Sequence, residues 1–411
     1  MSTNKYPLWL GYMDMPSFLD NPITIVDSYG CTVIDSQGIE YIDLSSGIRN
    51  VILGYSEERI VKAVTEQMKK VTFVKGSSFG NEPALELAQE IQSIANISNP
   101  RMLFHNSGTE AVEASIKLIR QYSYLNNTNR NTIATLKNGY HGQTIGALSA
   151  SGEEYSKEPF KPYLNGFTFF DLPQNDGDID KLEFILKKDN TIGAIMLEPI
   201  LGNGGVVEIS EKYLKAIKNL CLKYNILLIC DEVTTGFGRC GEWFLTNQLE
   251  PEIIIGGKVL ANGYLPLSVV IVSEKIWKVF DEKGSFRHGQ TNLNHPVCCA
   301  CGLETLKILK EIDAPKLSLQ KGEMIQTALQ SLFDKRLVTS VRGKGLLWAI
   351  EFDSNIHKNH KTHKWLEKAL LDKHFIVGQI DNIIFIAPPL IVNIEHINNF
   401  INMLGKCLEY E

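Results

Sequence analysis

The run Ile253-Ile254-Ile255-Gly256-Gly257-Lys258 ends an apolar, β-branched stretch in a lysine. Burial disfavours the ammonium and leaves a nucleophilic amine. The paired glycines give backbone clearance for a bulky group carried on that amine. The plainer alternative is a lysine that snorkels its head to solvent. Asp231 closes another apolar run, Ile226–Cys230. An acid there is costly unless it meets a cation or a donor; a protonated pyridine nitrogen is one such partner, a structural salt bridge another. Asn138-Gly139-Tyr140-His141-Gly142 follows a third run. Its glycines let an aromatic ring stand close to a flat ligand, unless Tyr140 and His141 simply pack. Finally, Ser107 and Glu110 have capping-box spacing in His105-Asn106-Ser107-Gly108-Thr109-Glu110. Free N–H groups beside Gly108 at a helix start suit a phosphate, or belong to an ordinary capped helix. Glu113 and Lys117 have the spacing of an exposed ion pair.

Positioning these groups falls to alternating elements. Short apolar runs occupy Thr132–Leu136, Ile192–Leu197, Ile226–Cys230, Ile253–Ile255 and Leu267–Val272. Helical patterns intervene at Glu110–Arg120, Ile179–Lys188 and Glu211–Tyr224. Such alternation predicts an α/β fold, a mainly parallel sheet with helices on both faces, and ligands then sit beyond the carboxyl ends of the strands. Later, helices are predicted at Val297–Ile312, Ser318–Phe333, Lys361–Lys373 and from Ile394, with strands at Leu346–Phe352 and Ile383–Ile386. That reads as a smaller α+β lobe. A hairpin about Asp35-Ser36-Gln37-Gly38 is placed to join it. The expected division is 1–55 with the small lobe, 56–305 as the large domain and 306–411 as the small one.

In combination and order these segments resemble the class III pyridoxal-phosphate aminotransferases, the ornithine, 4-aminobutyrate and ω-amino acid group. The most specific stretch runs from Asp231-Glu232-Val233 through Gly236-Phe237-Gly238-Arg239 and Pro251-Glu252-Ile253 to Gly257-Lys258, ending in Asn262-Gly263-Tyr264-Leu265-Pro266-Leu267. Tyr140-His141-Gly142, Glu198-Pro199-Ile200, His288-Gly289-Gln290-Thr291 and Ala387-Pro388-Pro389-Leu390 add to it. The resemblance implies an aspartate-aminotransferase-like, type I fold and pyridoxal 5′-phosphate as cofactor. It implies Lys258 as the Schiff-base lysine, with Asp231 keeping the pyridine nitrogen protonated so that the ring is an electron sink. Val233 and Tyr140 would flank the ring, with His141 beside it. Ser107, Gly108 and Thr109 would hold the phosphate. Thr291 would reach the phosphate of a neighbouring subunit, implying a homodimer with sites at its interface. The reaction implied moves an amino group from an amine donor to a carbonyl acceptor by ping-pong kinetics.

The resemblance breaks at the substrate. Many relatives carry an arginine just before the Pro-Pro-Leu motif that forks onto a substrate carboxylate; here that position is Phe385, and Val377–Ile386 contains no arginine. Glu198, which in ω-specific members helps switch between substrates, thereby lacks its usual partner. Arg49, in a segment similar to the family's substrate-lining loop, is one replacement. The other reading is a substrate without a carboxylate, with Phe385 leaving an apolar pocket.

The remaining composition sets bounds. Among 411 residues the net charge is −6, without a run of like charges, so neither nucleic acid nor an anionic membrane is expected. No apolar run approaches a membrane span and Met1–Pro16 lacks a signal-peptide pattern, so a cytoplasmic location is expected. Eight cysteines without framework spacing predict reduced thiols and no metal site. An aminomutase or racemase uses the same lysine on this scaffold and needs no second carbonyl substrate. A decayed binding protein would have lost the groups at Asp231, Lys258, Tyr140 and Thr291.

Overall fold

The computed structural model describes residues 6–334, 337–353, 355 and 364–409. Its centre is a seven-stranded sheet. In spatial order the strands are Arg101–His105, Ser268–Val272, Ile253–Gly256, Leu227–Asp231, Ile192–Leu197, Thr132–Leu136 and Phe167–Phe170. Ser268–Val272 runs antiparallel to both neighbours and the others are parallel to one another, so the sheet is mainly parallel as expected. Alternate side chains feed two cores, one on each face. Ile195, Leu228 and Ile254 pack beneath the helices Glu211–Tyr224 and Pro296–Glu311, while Ala194, Leu227 and Ile253 pack against Gly108–Leu125 and Glu274–Lys283. Each fully buried Ile or Leu contributes about 1.5–3 kcal/mol. That explains why the centre of the sheet reads as continuous apolar runs.

Five parallel strands end on one edge. His105 leads to Ser107, Leu136 to Tyr140, Leu197 to Glu198 and Gly256 to Lys258, while Asp231 is itself a strand end. The residues that sequence spacing singled out thus converge because their strands share a direction.

An antiparallel sheet of Ser340–Lys344, Leu347–Glu351, Ile383–Ile386 and Gly378–Ile380 forms near the C-terminus. The N-terminal strands Ile25–Tyr29, Thr32–Asp35 and Glu40–Asp43 form the expected hairpin, and the last pairs in parallel with Phe375–Ile376.

Several local expectations are corrected. Ser107 Oγ accepts from Glu110 N at 3.4 Å, but the Glu110 carboxylate accepts from Asn106 N at 2.8 Å instead of from the cap residue's own N–H, so the box is not reciprocal. Glu113 forms no ion pair with Lys117 among the described residues. Its Oε1 accepts from Thr144 Oγ1 at 2.6 Å, and Lys117 Nζ lies 3.2 Å from His288 Nδ1. A neighbouring loop offers Glu113 better-fixed donors than a mobile lysine on an exposed turn. The helix expected over Lys361–Lys373 spans Trp365–Leu371; residues 361–363 lie outside the described residues. No described helix is long and apolar enough to cross a membrane. The eight thiols are free, seven of them buried.

Candidate active site

Lys258 follows Gly257 at the sheet edge and is half-buried. Its Nζ donates to Thr234 Oγ1 at 2.7 Å. Burial, reinforced by the nearby charge of Arg49, pushes its pKa down from 10.5 to about 8, against the pull of the Asp231 and Glu198 carboxylates. A neutral amine is therefore accessible near neutral pH. Thr234 was not foreseen: a hydroxyl three residues after a strand-end acid carries little signal until the chain folds back.

Asp231 is 6% exposed and held in place twice. Its Oδ2 lies 2.7 Å from His141 Nδ1, and its Oδ1 accepts from Val233 N at 3.1 Å. Burial opposes charge on His141, but the Asp231 hydrogen bond and charge outweigh it and hold the imidazole pKa above its ordinary value. His141 N donates to Ser151 Oγ at 2.9 Å, while its buried Nε2 has no partner among the described residues.

Glu198 follows its strand directly and is 5% exposed. Oε1 accepts from Tyr140 N at 2.9 Å and Oε2 from Gly202 N at 3.1 Å. Burial pushes this acid up to about 7, with His141 and the two N–H groups pulling the other way. Arg49 enters from the N-terminal segment. Its Nη1 donates to Asn203 Oδ1 at 2.8 Å and its guanidinium stands 5.3 Å above the ring of buried Phe385. Burial lowers the Arg49 pKa, and Glu198 and Glu153 are the carboxylates near enough to oppose that. Asn203 was also missed, because its glycine-rich loop gives no hint of its partner.

The turn that presents Arg49 is strongly specified. Ser46, Gly47 and Arg49 have positive φ. The Asp43 carboxylate accepts from Ser45 N and Gly47 N, Ser46 Oγ donates to Ala387 O at 2.6 Å, and fully buried Arg239 donates to Arg49 O at 3.3 Å. Backbone in this region persists only where its surroundings over-determine it.

Val233, Gly108 and Gly257 meet closely. A Cβ on Gly108 would stand 3.0 Å from Val233 Cγ1, and one on Gly257 would stand 3.5 Å from it. The first amides of the eighteen-residue helix Gly108–Leu125 have no partner within the helix, and Ser107 and Thr109 stand beside them. Thr291 lies further along the chain. It is exposed, on a turn held by His105 Nδ1 bonding Gln290 Oε1 at 2.7 Å. Among the described residues no group of His, Cys, Asp and Glu is arranged to hold a metal.

The donor set fits pyridoxal 5′-phosphate. An amine of lowered pKa suits an aldehyde, a fixed buried carboxylate suits a pyridinium, and a glycine-flanked helix start suits a phosphate.

Comparison with known proteins agrees. The family described as "Aminotransferase class-III" matches residues 17–408. The ornithine aminotransferase 1 of Staphylococcus saprophyticus is 32% identical, covering 94% of this chain and 95% of its own. The acetylornithine aminotransferase of Haemophilus ducreyi is 34% identical, covering 92% of each. Among solved structures, a Bacillus anthracis aminotransferase superposes with a TM-score of 0.92 at 29% identity, covering 98% of this chain and 96% of that one. An omega transaminase of Pseudomonas jessenii in complex with PMP gives 0.91 at 27% identity, covering 98% and 96%. The chain belongs to the class III aminotransferases and is a pyridoxal-phosphate-dependent transaminase of that fold.

Proposed function

We propose that Lys258 is the residue that carries the cofactor and moves the proton of the reaction, and that Arg49 receives a substrate carboxylate. The observation that carries the first part is the meeting, beyond five parallel strand ends, of the Lys258 amine with a twice-fixed carboxylate, Asp231, and a glycine-flanked helix start.

When bound, pyridoxal phosphate supplies the electron sink that acidifies the substrate's C–H bond. The chain does the rest. Lys258 Nζ, once released, is the base that takes the proton from the substrate carbon and returns it, and Thr234 Oγ1 orients it. Asp231, held by His141 and Val233 N, would face the pyridine nitrogen. Val233 and Tyr140 would bound the ring, and Ser107, Gly108 and Thr109 would hold the phosphate. Two half-reactions, amine donor then carbonyl acceptor, follow in turn.

Arg49 suits a carboxylate because it has no carboxylate at ion-pairing distance among the described residues, only the neutral Asn203 oxygen and the Phe385 ring. A desolvated guanidinium without an anion is costly, and a bound carboxylate would relieve that cost. It would thus take the place of the arginine missing before Pro388-Pro389. Glu198 would then lie beside it as the group that adjusts between substrates.

We assign the same chain to a homodimer in which Thr291 serves the partner's phosphate site. Its exposure, and the exposed Met68, Val71, Phe73 and Phe79, support this. The division 1–55, 56–305 and 306–411, and a cytoplasmic location, complete the reading.

Borohydride reduction of the yellow holoenzyme followed by peptide mapping tests it. Label on Lys258 is expected. Label on another lysine, or none, would sink the assignment.

A further inference from the structure

Glu153 is a carboxylate of this cleft that the reading above leaves without a task. Its position follows from close packing. Gly152 N donates to Gly139 O at 2.8 Å, and His141 N donates to Ser151 Oγ at 2.9 Å, so residues 151–153 are stitched alongside 139–141. A Cβ on Gly152 would stand 2.3 Å from Leu136 O and 2.7 Å from Asn138 N, so only glycine permits this approach. The next residue, half-buried Glu153, is thereby carried beside the Tyr140-His141 segment. Burial holds its pKa above the ordinary carboxylate value, with the Ser156 hydrogen bond and the charges of Arg49 and His141 pulling the other way, and its own charge is felt by Arg49, Tyr140 and Tyr12.

The two cleft glutamates differ in what they have free. Each oxygen of Glu198 already accepts from a backbone N–H. Glu153 accepts from Ser156 Oγ at 3.0 Å on Oε2, and no cation lies at ion-pairing distance from it among the described residues. A partly desolvated carboxylate is best satisfied by a cation, and here the protein supplies none. The Lys258 amine is engaged by Thr234, and Arg49 by Asn203.

We propose that Glu153 is a specificity-determining residue: it selects amine donors that carry a second, untransferred ammonium group, which it binds at the cleft mouth while the transferred amine reaches Lys258. This rests on the assignment of Lys258 as the cofactor-bearing residue.

The test compares cadaverine with pentylamine, which share a chain length and differ in the second ammonium. The amine half-reaction of the holoenzyme is followed by loss of its yellow colour. Calorimetric binding to borohydride-reduced holoenzyme, which cannot turn over, provides a second readout. A hydrogen bond between charged groups corresponds to a preference for cadaverine of about ten- to a hundredfold in kcat/KM and in Kd. Glu153→Gln is expected to bring that ratio close to one, and Glu153→Asp to retain most of it. Absence of a preference in the wild-type enzyme overturns the proposal without recourse to any variant. A ratio that survives Glu153→Gln also overturns it, and, should handling of alanine and pyruvate fall instead, shows Glu153 to be only a counter-charge for Arg49. Failure to convert any amine would count against the Lys258 assignment, whereas equal conversion of both counts against Glu153 alone.

Discussion

Lys258 should titrate well below an ordinary lysine. Lowering its pKa from 10.5 to about 8 raises the neutral fraction at pH 7 about 300-fold, to roughly one-tenth of the molecules. Only the neutral amine attacks an electrophile, so the pH dependence of labelling reads the pKa directly. The experiment uses apoenzyme and a trace of an amine-acylating reagent. Labelling of each lysine is followed by mass spectrometry from about pH 6 to about pH 12, a span that brackets both values. Lys258 is expected to reach half its maximal rate near pH 8, well below exposed Lys212, which the Asp176 carboxylate holds above the ordinary lysine value. Three causes push Lys258 down: burial first, then the charge of Arg49 and, more weakly, that of Arg239. Arg49→Gln removes only the second, so its Lys258 midpoint should move up toward 10.5 without reaching it. A wild-type midpoint near that of the exposed lysines would refute the claim of a desolvated amine. An Arg49→Gln midpoint unchanged from wild type would refute the claim that Arg49 shares the cleft.

Two further outcomes follow from buried charge. Glu198 is raised from 4.5 to about 7 by burial, so the folded state binds a proton there that the unfolded chain releases. Its contribution to stability is full below about pH 4.5 and is lost as pH rises to about 7, a loss of about 3 kcal/mol; urea melts of apoenzyme should show this slope in wild type and a flatter one in Glu198→Gln, and parallel slopes would contradict it. Arg239 is fully buried and donates to Ala387 O, Pro388 O and Arg49 O. Arg239→Met should cost about 3 kcal/mol or more by stranding these carbonyls; it should also raise KM for a carboxylate substrate more than for pentylamine, and equal effects on both would detach Arg239 from the Arg49 turn.

Much of the site was legible in the sequence because its information is local. A strand-end acid at Asp231, a lysine after two glycines at Lys258 and a capped helix start at Ser107-Gly108 each declare themselves within a few residues. The sheet was legible for a related reason. Strands such as Ile192–Leu197 are buried on both faces, and that constraint leaves an uninterrupted apolar run. The edge strands Arg101–His105 and Phe167–Phe170 are less buried, leave no such run and were not foreseen.

What the sequence alone could not decide is every relation between distant segments. Asn203 on Arg49, Thr234 on Lys258 and Ser151 on His141 join residues by their place at a common sheet edge, and no spacing encodes that. The same holds for Glu113, whose neighbour on the helix is Lys117 but whose hydrogen bond goes to Thr144 across a loop. It holds for Arg49 above all. Its type and number offered a replacement for a missing arginine. Only the fold, by fixing a strained turn against Ala387 and Arg239, brings that guanidinium within reach of the charges of Glu198 and Lys258. Local sequence thus determines which groups are chemically able, because propensity and burial act over a few residues. Tertiary structure decides which of them act together, because electrostatic coupling and hydrogen bonding depend on distance in space.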